Sequence, residues 1–290
     1  MTMTGDNVSA WEPSGPAWLF CPADRPERFA KAAAVADVVI LDLEDGVSPA
    51  DRPAARQAVI DTALDPTKAL DPERTVVRVN AHGTQDQALD LAALAQTSYR
   101  RVMLPKCEGA DQVTALADFE VIVLIESPLG ALTVAESVQA DNAIAAMWGA
   151  EDLVAALGGN ASRRTDGSYR DVARHVRSQT LLAAKSYGRL ALDSVYLDIS
   201  DLDGLRDETL DAVAVGFDVK VSLHPTQVAV VAEAFRPDPQ ELDWARRVLA
   251  AVPEQRGAFA FEGKMVDAPV LRHAEAIVRR AGAQQGAAAQ

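Results

Sequence analysis

Two cysteines in 290 residues, Cys21 and Cys107, both inside apolar strand-like runs, exclude a disulfide-built fold and point to a reducing compartment, the cytoplasm. Basic residues are also short: 28 Lys and Arg stand against 42 Asp and Glu, a formal charge of −14. Neutralising nucleic-acid phosphates needs a basic face, so a general nucleic-acid binder is excluded and any anionic ligand must be met by local Arg and Lys. No apolar run approaches the roughly 20 residues a membrane span requires, and no membrane contact is expected. The polar opening MTMTGDNVSAWEPSGP has neither the basic start nor the apolar core of a secretory signal. GxGxxG and GxxxxGK[ST] are both missing, so no glycine-rich phosphate turn is present. No Ser/His/Asp or Cys/His arrangement stands out, and Cys107 reads as a small core residue.

What the chain does have is a regular alternation. Strand-like runs begin at Trp18 (WLFCPA), Val38 (VVILDLED), Thr75 (TVVRVN), Arg101 (RVMLPK), Glu120 (EVIVLIES), Ala143 (AIAAMWGA), Leu190 (LALDSVYLD) and Val219 (VKVSLHP). Unbroken apolar runs fit strands buried on both faces in a parallel sheet. Amphipathic helical segments fill the gaps, with cap signals at Ser48, Pro26 and Thr226. Eight such repeats favour an α/β fold, a (β/α)₈ TIM barrel, over an open doubly wound sheet. The expected organisation is a flexible leader over 1–16, the barrel over 17–236, a C-terminal helical extension over 237–282 and a flexible tail over 283–290. Within the extension, the loop EQRGAFAFEGKMVDA carries Phe259, Phe261, Met265 and Val266, and such a segment packs on something.

In this fold the chemistry sits at the C-terminal ends of the strands. The charged and polar residues there are Asp42, Glu44 and Asp45 after strand two, Arg78 and Asn80 after three, Lys106 after four, Glu126 after five, Asp152 after six, Asp198 after seven and His224 after eight. Glu126 closes VIVLIE, and Asp152 follows the next run at WGAED; adjacent parallel strands, about 4.8 Å apart, let the two face one another. Two carboxylates on neighbouring strand ends suit Mg²⁺, which takes one or two protein carboxylates and completes its octahedron with water and substrate. Zinc is disfavoured, because neither Cys nor His accompanies them. The alternative is that one acid caps a helix or pairs with Arg. Arg78, a guanidinium in an apolar strand, needs a partner; its fork suits a substrate carboxylate or a structural pair with Asp42 or Glu44. In LDLEDG, alternation sends Asp42 and Glu44 to one face and Asp45 to the loop, with at least one expected to orient Arg78 or a metal-bound water. Lys106 is open between anion binding and pairing with these acids. Arg25, Arg28 and Lys31 surround the first βα loop, where they meet the phosphates of a large anionic ligand such as coenzyme A or form a solvated face. His224, before Pro225, reads more readily as a loop-fixing hydrogen-bond donor than as a base.

Taken together, FCPADRPERFAKA, ADVVILDLEDGV, VVRVN, MLPKCE, LIESPLGA, WGAEDL, LHPTQ and FEGKMVDAPV give the chain a specific resemblance. It resembles the citrate lyase β-subunit-like proteins of the HpcH/HpaI aldolase superfamily, which includes malyl-CoA and citramalyl-CoA lyases. The resemblance implies a TIM barrel with a helical C-terminal part, assembled as a homotrimer or hexamer. It implies that Glu126 and Asp152 ligate Mg²⁺, that Arg78 and Glu126 contact the acyl substrate, and that Arg25 and Lys31 approach the CoA moiety. Asp267, in GKMVDAP, matches a carboxylate that related lyases lend to the neighbouring subunit's site, although Val270 departs from the His that many relatives carry there. The implied activity is cleavage of a β-hydroxyacyl-CoA thioester, foremost (S)-citramalyl-CoA, to acetyl-CoA and a 2-oxo acid. Alternatives are malyl-CoA or citryl-CoA cleavage, an aldolase acting on 2-oxo acids without CoA, and an accessory subunit of a citrate lyase complex.

Overall fold

All eight apolar runs form strands, and each packs one face against helices and the other against the opposite wall of a closed barrel. The computed structural model describes residues 11–252 and 257–288. The strands are β1 (Ala17–Pro22), β2 (Val38–Asp42), β3 (Thr75–Arg78), β4 (Arg101–Leu104), β5 (Glu120–Ile125), β6 (Ala143–Trp148), β7 (Leu190–Asp193) and β8 (Val219–Ser222), joined in chain order, with β8 paired back to β1. Among the described residues nine α-helices cover the outside: α1 (Phe29–Ala33), α2 (Arg52–Leu64), α3 (Gln85–Leu94), α4 (Ala110–Thr114), α5 (Pro128–Ser137), α6 (Ala150–Ala156), α7 (Asp171–Ser186), α8 (Leu202–Val215) and α9 (Pro225–Ala234). This is the expected (β/α)₈ barrel. Among the described residues no helix is long and apolar enough to cross a membrane.

Alternation along each strand divides the core in two. Trp18, Val38, Ile40, Val76, Met103, Ile122 and Leu124 turn inward and pack on one another. Their neighbours Leu19, Val39, Leu41, Val77, Val121 and Val123 turn outward into the larger layer beneath the helices. Burying one such side chain contributes about 1.5–3 kcal/mol, so a one-residue register slip in any strand would exchange two well-packed layers at once.

Several local expectations are corrected. β7 stops at Asp193, and Asp198, placed at that strand's end by the sequence, is an exposed loop residue whose carboxylate accepts from Ser200 N (3.0 Å) and Asp201 N (3.2 Å). Ser48 does not cap α2; it donates to Asp51 Oδ2 at 2.7 Å, and the helix begins at Arg52. Thr226 lies inside α9, whose N-cap is His224, paired with Gln227 in a capping box. The short α6 between β6 and α7 has no counterpart in the sequence reading. Of the leader, residues 1–10 lie outside the described residues; from Trp11 the chain packs, with Trp11 5.6 Å from Trp18 and under the Arg101 guanidinium at 4.5 Å.

Beyond the barrel come α10 (Pro239–Ala251), a hairpin of β9 (Phe259–Phe261) and β10 (Lys264–Val266), and α11 (Ala268–Ala288), so the segment read as a fraying tail is helical through Ala288. The apolar loop packs, as expected, within its described residues 257–268: Val266 is buried with Val248, Ala274 and Ile277, and Phe259 and Phe261 rest against them. Met265, by contrast, is 75% exposed.

One charged cluster is buried behind the rim. Asp193 accepts from Trp148 Nε1 (2.7 Å), Arg177 Nε (2.9 Å) and Lys220 Nζ (3.0 Å), and Lys220 also donates to Ser194 O (2.7 Å) and Glu208 (2.8 Å). Burial would push the Asp193 carboxyl up, but the charges of Lys220 and Arg177 outweigh it and hold it below the usual carboxylate range. Removing one partner strands the others in a dry layer. Lys220→Met should therefore lower the unfolding free energy by about 3–5 kcal/mol in urea denaturation. A loss under about 1 kcal/mol would show that the cluster does not depend on its lysine.

Candidate active site

Continuing the inward series past the apolar layers leads directly to the charged rim. On β2 the series Val38, Ile40 ends at Asp42; on β3, Val76 is followed by Arg78; after Ile122 and Leu124 on β5 comes Glu126. These side chains leave the barrel interior at its C-terminal end. There they line a cavity of about 320 Å³ together with Phe20, Asp152 and Leu223.

Arg78 is held by neighbours on both sides. Its Nε and Nη2 donate to the two oxygens of Asp42 at 2.7 and 2.6 Å, and its Nη1 lies 3.0 Å from Glu44 Oε2. The last contact is an ion pair without hydrogen-bond alignment, so Glu44 Oε2 has no aligned donor. The Phe20 ring supports the guanidinium at 4.8 Å. Asp42 is fixed in turn by the N–H groups of Glu44 (3.0 Å) and Gly46 (2.8 Å). A Cβ at Gly46 would sit 2.3 Å from Asp42 Oδ2, so only glycine lets the loop close on that carboxylate. Burial would lower the guanidinium's pKa, but the charges of Asp42, Glu44 and Glu126 more than reverse this, so Arg78 is a permanent cation. The structural pair left open by the sequence is therefore present, and the guanidinium faces the cavity as well.

Glu126 and Asp152 meet because of strand register. Ile125 pairs with Trp148, and Gly149 N donates to Ile125 O at 2.8 Å, which sets the first turn of α6 beside the end of β5. Ser127 caps α5 by accepting from Gly130 N at 3.1 Å, so Glu126 stands alone between the end of β5 and the helix. A Cβ at Gly149 would lie 2.7 Å from Glu126 Oε2, so the glycine leaves that oxygen its space. Glu126 is buried, whereas the Asp152 side chain is 40% exposed. Burial, then the charge of Asp152, pushes the Glu126 carboxyl up to about 8.

Lys106 settles between these acids. Its ammonium contacts Glu44 and lies 3.2 Å from Asp45, 3.5 Å from Asp152 and 4.0 Å from Glu126, while its backbone N–H donates to Glu126 Oε1 at 3.1 Å. Burial would depress the ammonium's pKa; the hydrogen bond and charge of Glu44, then the charges of Glu126 and Asp152, raise it instead.

Among the described residues no group of three or more His, Cys, Asp and Glu side chains is arranged to hold an ion. Two carboxylates on one wall, with Glu126 Oε2 given room by Gly149, fit a cation that needs only one or two protein ligands, such as Mg²⁺, and do not fit zinc.

Other residues singled out by the sequence stand elsewhere. Arg25, Arg28 and Lys31 are exposed around the β1–α1 loop and none lines the cavity; Arg25 pairs with Asp24 at 3.6 Å. Asp267 stands at the head of α11, accepting from Val270 N at 3.4 Å, outside the cavity of its own chain. Asn80 is buried and donates to Leu43 O and Asp90, and His224 fixes the loop on the surface as an acceptor, taking the Thr226 N–H at 3.3 Å as the N-cap of α9, and not as the donor expected. The cavity also takes Phe20, Ser194 and Leu223, which the sequence reading passed over. Alternation from Trp18, Leu192 and Val221 was the signal that pointed to them.

Glu126 keeps its proton in the folded protein up to about pH 8, whereas its ordinary value is 4.5. The folded state thus binds more protons across that window, and this group makes stability fall as pH rises through it. In chelator-treated protein, Glu126→Gln should gain on the wild type by on the order of a few kcal/mol between pH 5 and pH 8.5 in urea denaturation. Parallel pH profiles for the two proteins would contradict the buried acid.

Residues 17–225 match the HpcH/HpaI aldolase/citrate lyase family. A citrate lyase subunit beta-like protein of Mycobacterium tuberculosis is 65% identical over 269 residues, 93% of this chain and 96% of that protein. The mitochondrial citramalyl-CoA lyase of Mus musculus is 30% identical over 290 aligned positions, 90% of this chain and 84% of that protein. Among solved structures, protein CitE from Mycobacterium tuberculosis in complex with magnesium, acetoacetate and coenzyme A has a TM-score of 0.86 at 64% identity, covering 92% of this chain and 98% of that one. Because the family match runs from the first residue of β1 to the first residue of α9, it takes in every strand of the barrel, and this chain belongs to the HpcH/HpaI aldolase/citrate lyase family.

Proposed function

We propose that this chain is a Mg²⁺-dependent lyase that cleaves a β-hydroxyacyl-CoA thioester to acetyl-CoA and a 2-oxo acid, with (S)-citramalyl-CoA giving pyruvate. The observation that carries this reading is the placement of Glu126, Asp152 and a locked Arg78 on the walls of one cavity. The magnesium and coenzyme A of the Mycobacterium tuberculosis complex and the activity named for the mouse relative support the metal, the thioester and the substrate class.

Glu126 and Asp152 would hold the cation. When bound, it supplies Lewis acidity toward the substrate's β-hydroxyl and neighbouring carboxylate oxygens. The hydroxyl loses its proton, the carbon bearing it becomes a carbonyl, and the Cα–Cβ bond breaks. Its electron pair passes to the acetyl-CoA enolate, which then takes up a proton. Arg78 cannot turn away, because the Asp42 fork fixes its plane, so it presents a preorganised positive charge to the oxygen on which charge builds. Asp267 handles a proton of the hydroxyl or of the enolate carbon from a neighbouring protomer of a trimer or hexamer. Its position on a C-terminal unit with a hydrophobic cluster of its own supports this reading. Arg25 and Lys31, exposed beside the end of β1, approach the CoA phosphates. The buried thiols of Cys21 and Cys107 support a cytoplasmic setting.

With a panel of citramalyl-, malyl- and citryl-CoA thioesters, Mg²⁺-dependent release of acetyl-CoA is expected, with citramalyl-CoA turned over best. Glu126→Gln and Asp152→Asn should each lower kcat/KM by about a thousandfold, the scale of several kcal/mol of lost charge stabilisation. Unchanged Mg²⁺ dependence in both variants would overturn the metal assignment. Mixing Asp267→Ala subunits with Arg78→Ala subunits should recover activity that neither has alone, and no recovery in verified mixed oligomers would count against a shared site.

A further inference from the structure

Lys106 is built in a way that its neighbours do not require. Its φ is 51°, in the left-handed region where glycine is the default, and Lys106 and Glu262 are the non-glycine residues that adopt it among the described residues. A glycine would form the same turn without strain, so the side chain is what this position retains. The strand end holds the backbone in place through Cys107 N to Leu124 O (3.2 Å) and Lys106 N to Glu126 Oε1 (3.1 Å). From there the ammonium hydrogen-bonds Glu44 and Asp45 and stands 3.5 Å from Asp152 and 4.0 Å from Glu126. Glu44 and Asp45 follow β2; Glu126 and Asp152 follow β5 and β6. The Lys106 side chain is 36% exposed, so its four-carbon stem is not packed in on every side.

We propose that Lys106 is a tethered cation shared between the Glu44–Asp45 and Glu126–Asp152 pairs in the metal-free enzyme, and that it gives way to the divalent ion by withdrawing fully onto Glu44 and Asp45, which already take its hydrogen bonds. The proposal rests on the reading that Glu126 and Asp152 bind Mg²⁺. A lysine suits this role where an arginine would not: a compact charge on a flexible stem can change partners, whereas a planar fork locks onto one carboxylate, as Arg78 does on Asp42. The arrangement also selects for charge. A monovalent ion offers the pair no more than the tethered ammonium already supplies, while a divalent ion offers twice as much. Lys106 is on this account a positioning and selectivity residue, not a catalytic one.

Calorimetric titration of Mg²⁺ into metal-free, substrate-free protein tests this without reference to turnover. At pH 9, which keeps protons from competing at Glu126, Lys106→Met and Lys106→Gly should both bind Mg²⁺ about tenfold more tightly than wild type. That factor is what water screening leaves between a single and a double charge at about 5 Å. Both variants should also show a larger rise in Tm on adding Mg²⁺, and Lys106→Gly relieves the left-handed strain, so it guards against a folding defect. Affinity within twofold of wild type, or weaker, in both variants overturns the proposal. Glu126→Gln separates the two levels of inference: if it loses Mg²⁺ binding while the Lys106 variants match wild type, only the role of Lys106 fails. If it binds Mg²⁺ like wild type, the metal reading falls and the proposal falls with it.

Discussion

A parallel strand with both faces buried has no place for an unpaired charge except at its ends. In this barrel the inward-facing residues from Val38 and Ile40 on β2, Val76 on β3, and Ile122 and Leu124 on β5 are apolar until Asp42, Arg78 and Glu126, where the interior opens into the cavity. The same alternation that packs Ile40, Val76 and Leu124 in the core sets those three charged groups on one rim. The site is therefore the continuation of the hydrophobic core.

Once gathered, the charges determine one another. Asp42 is spent on Arg78 and on the turn that follows β2, so it serves as a support. Glu126, more deeply buried than Asp152, bears the desolvation, and its proton affinity rises accordingly. Lys106 stands among Glu44, Asp45, Glu126 and Asp152 and is held there by a strained backbone. An acidic rim of this kind attracts a cation, and the adjoining fixed guanidinium keeps the same cavity hospitable to an anionic substrate.

Behind the rim, a second set of charges faces the helices. Asp193 and Lys220 occupy outward positions, and through Trp148 and Ser194 they tie the end of β6 to the end of β7. Asp152 and Ser194 stand at the mouths of those two strands. The cluster thus braces the half of the rim opposite Arg78, and it does so with interactions that only a dry layer makes strong.

The eight strands and the charged rim were legible in the sequence because both follow from local periodicity: a run of apolar residues reveals a buried strand, and the first charge after it reveals the strand's end. LDLED, VVRVN and LIES carried that signal plainly. LALDSVYLD did not, since its apolar pattern continues past Asp193 into a loop, and only the pairing of Leu192 with Val219 and of Asp193 with Lys220 shows where the strand stops. Which acid serves which partner was also beyond the sequence. Asp42, Glu44 and Asp45 are equivalent by type, and Lys106 could have met an anion or an acid. Their assignments depend on distances between strands that are far apart in the chain, on the glycines at 46 and 149 that admit close carboxylates, and on how deeply each group is buried. Periodicity is a property of neighbours along the chain, so the sequence by itself determined the eight strands and the ends that a charge marks, as at Asp42, Arg78 and Glu126, but not the end of β7. Electrostatic partnership falls off with distance in space, so only the tertiary structure decided which charges meet.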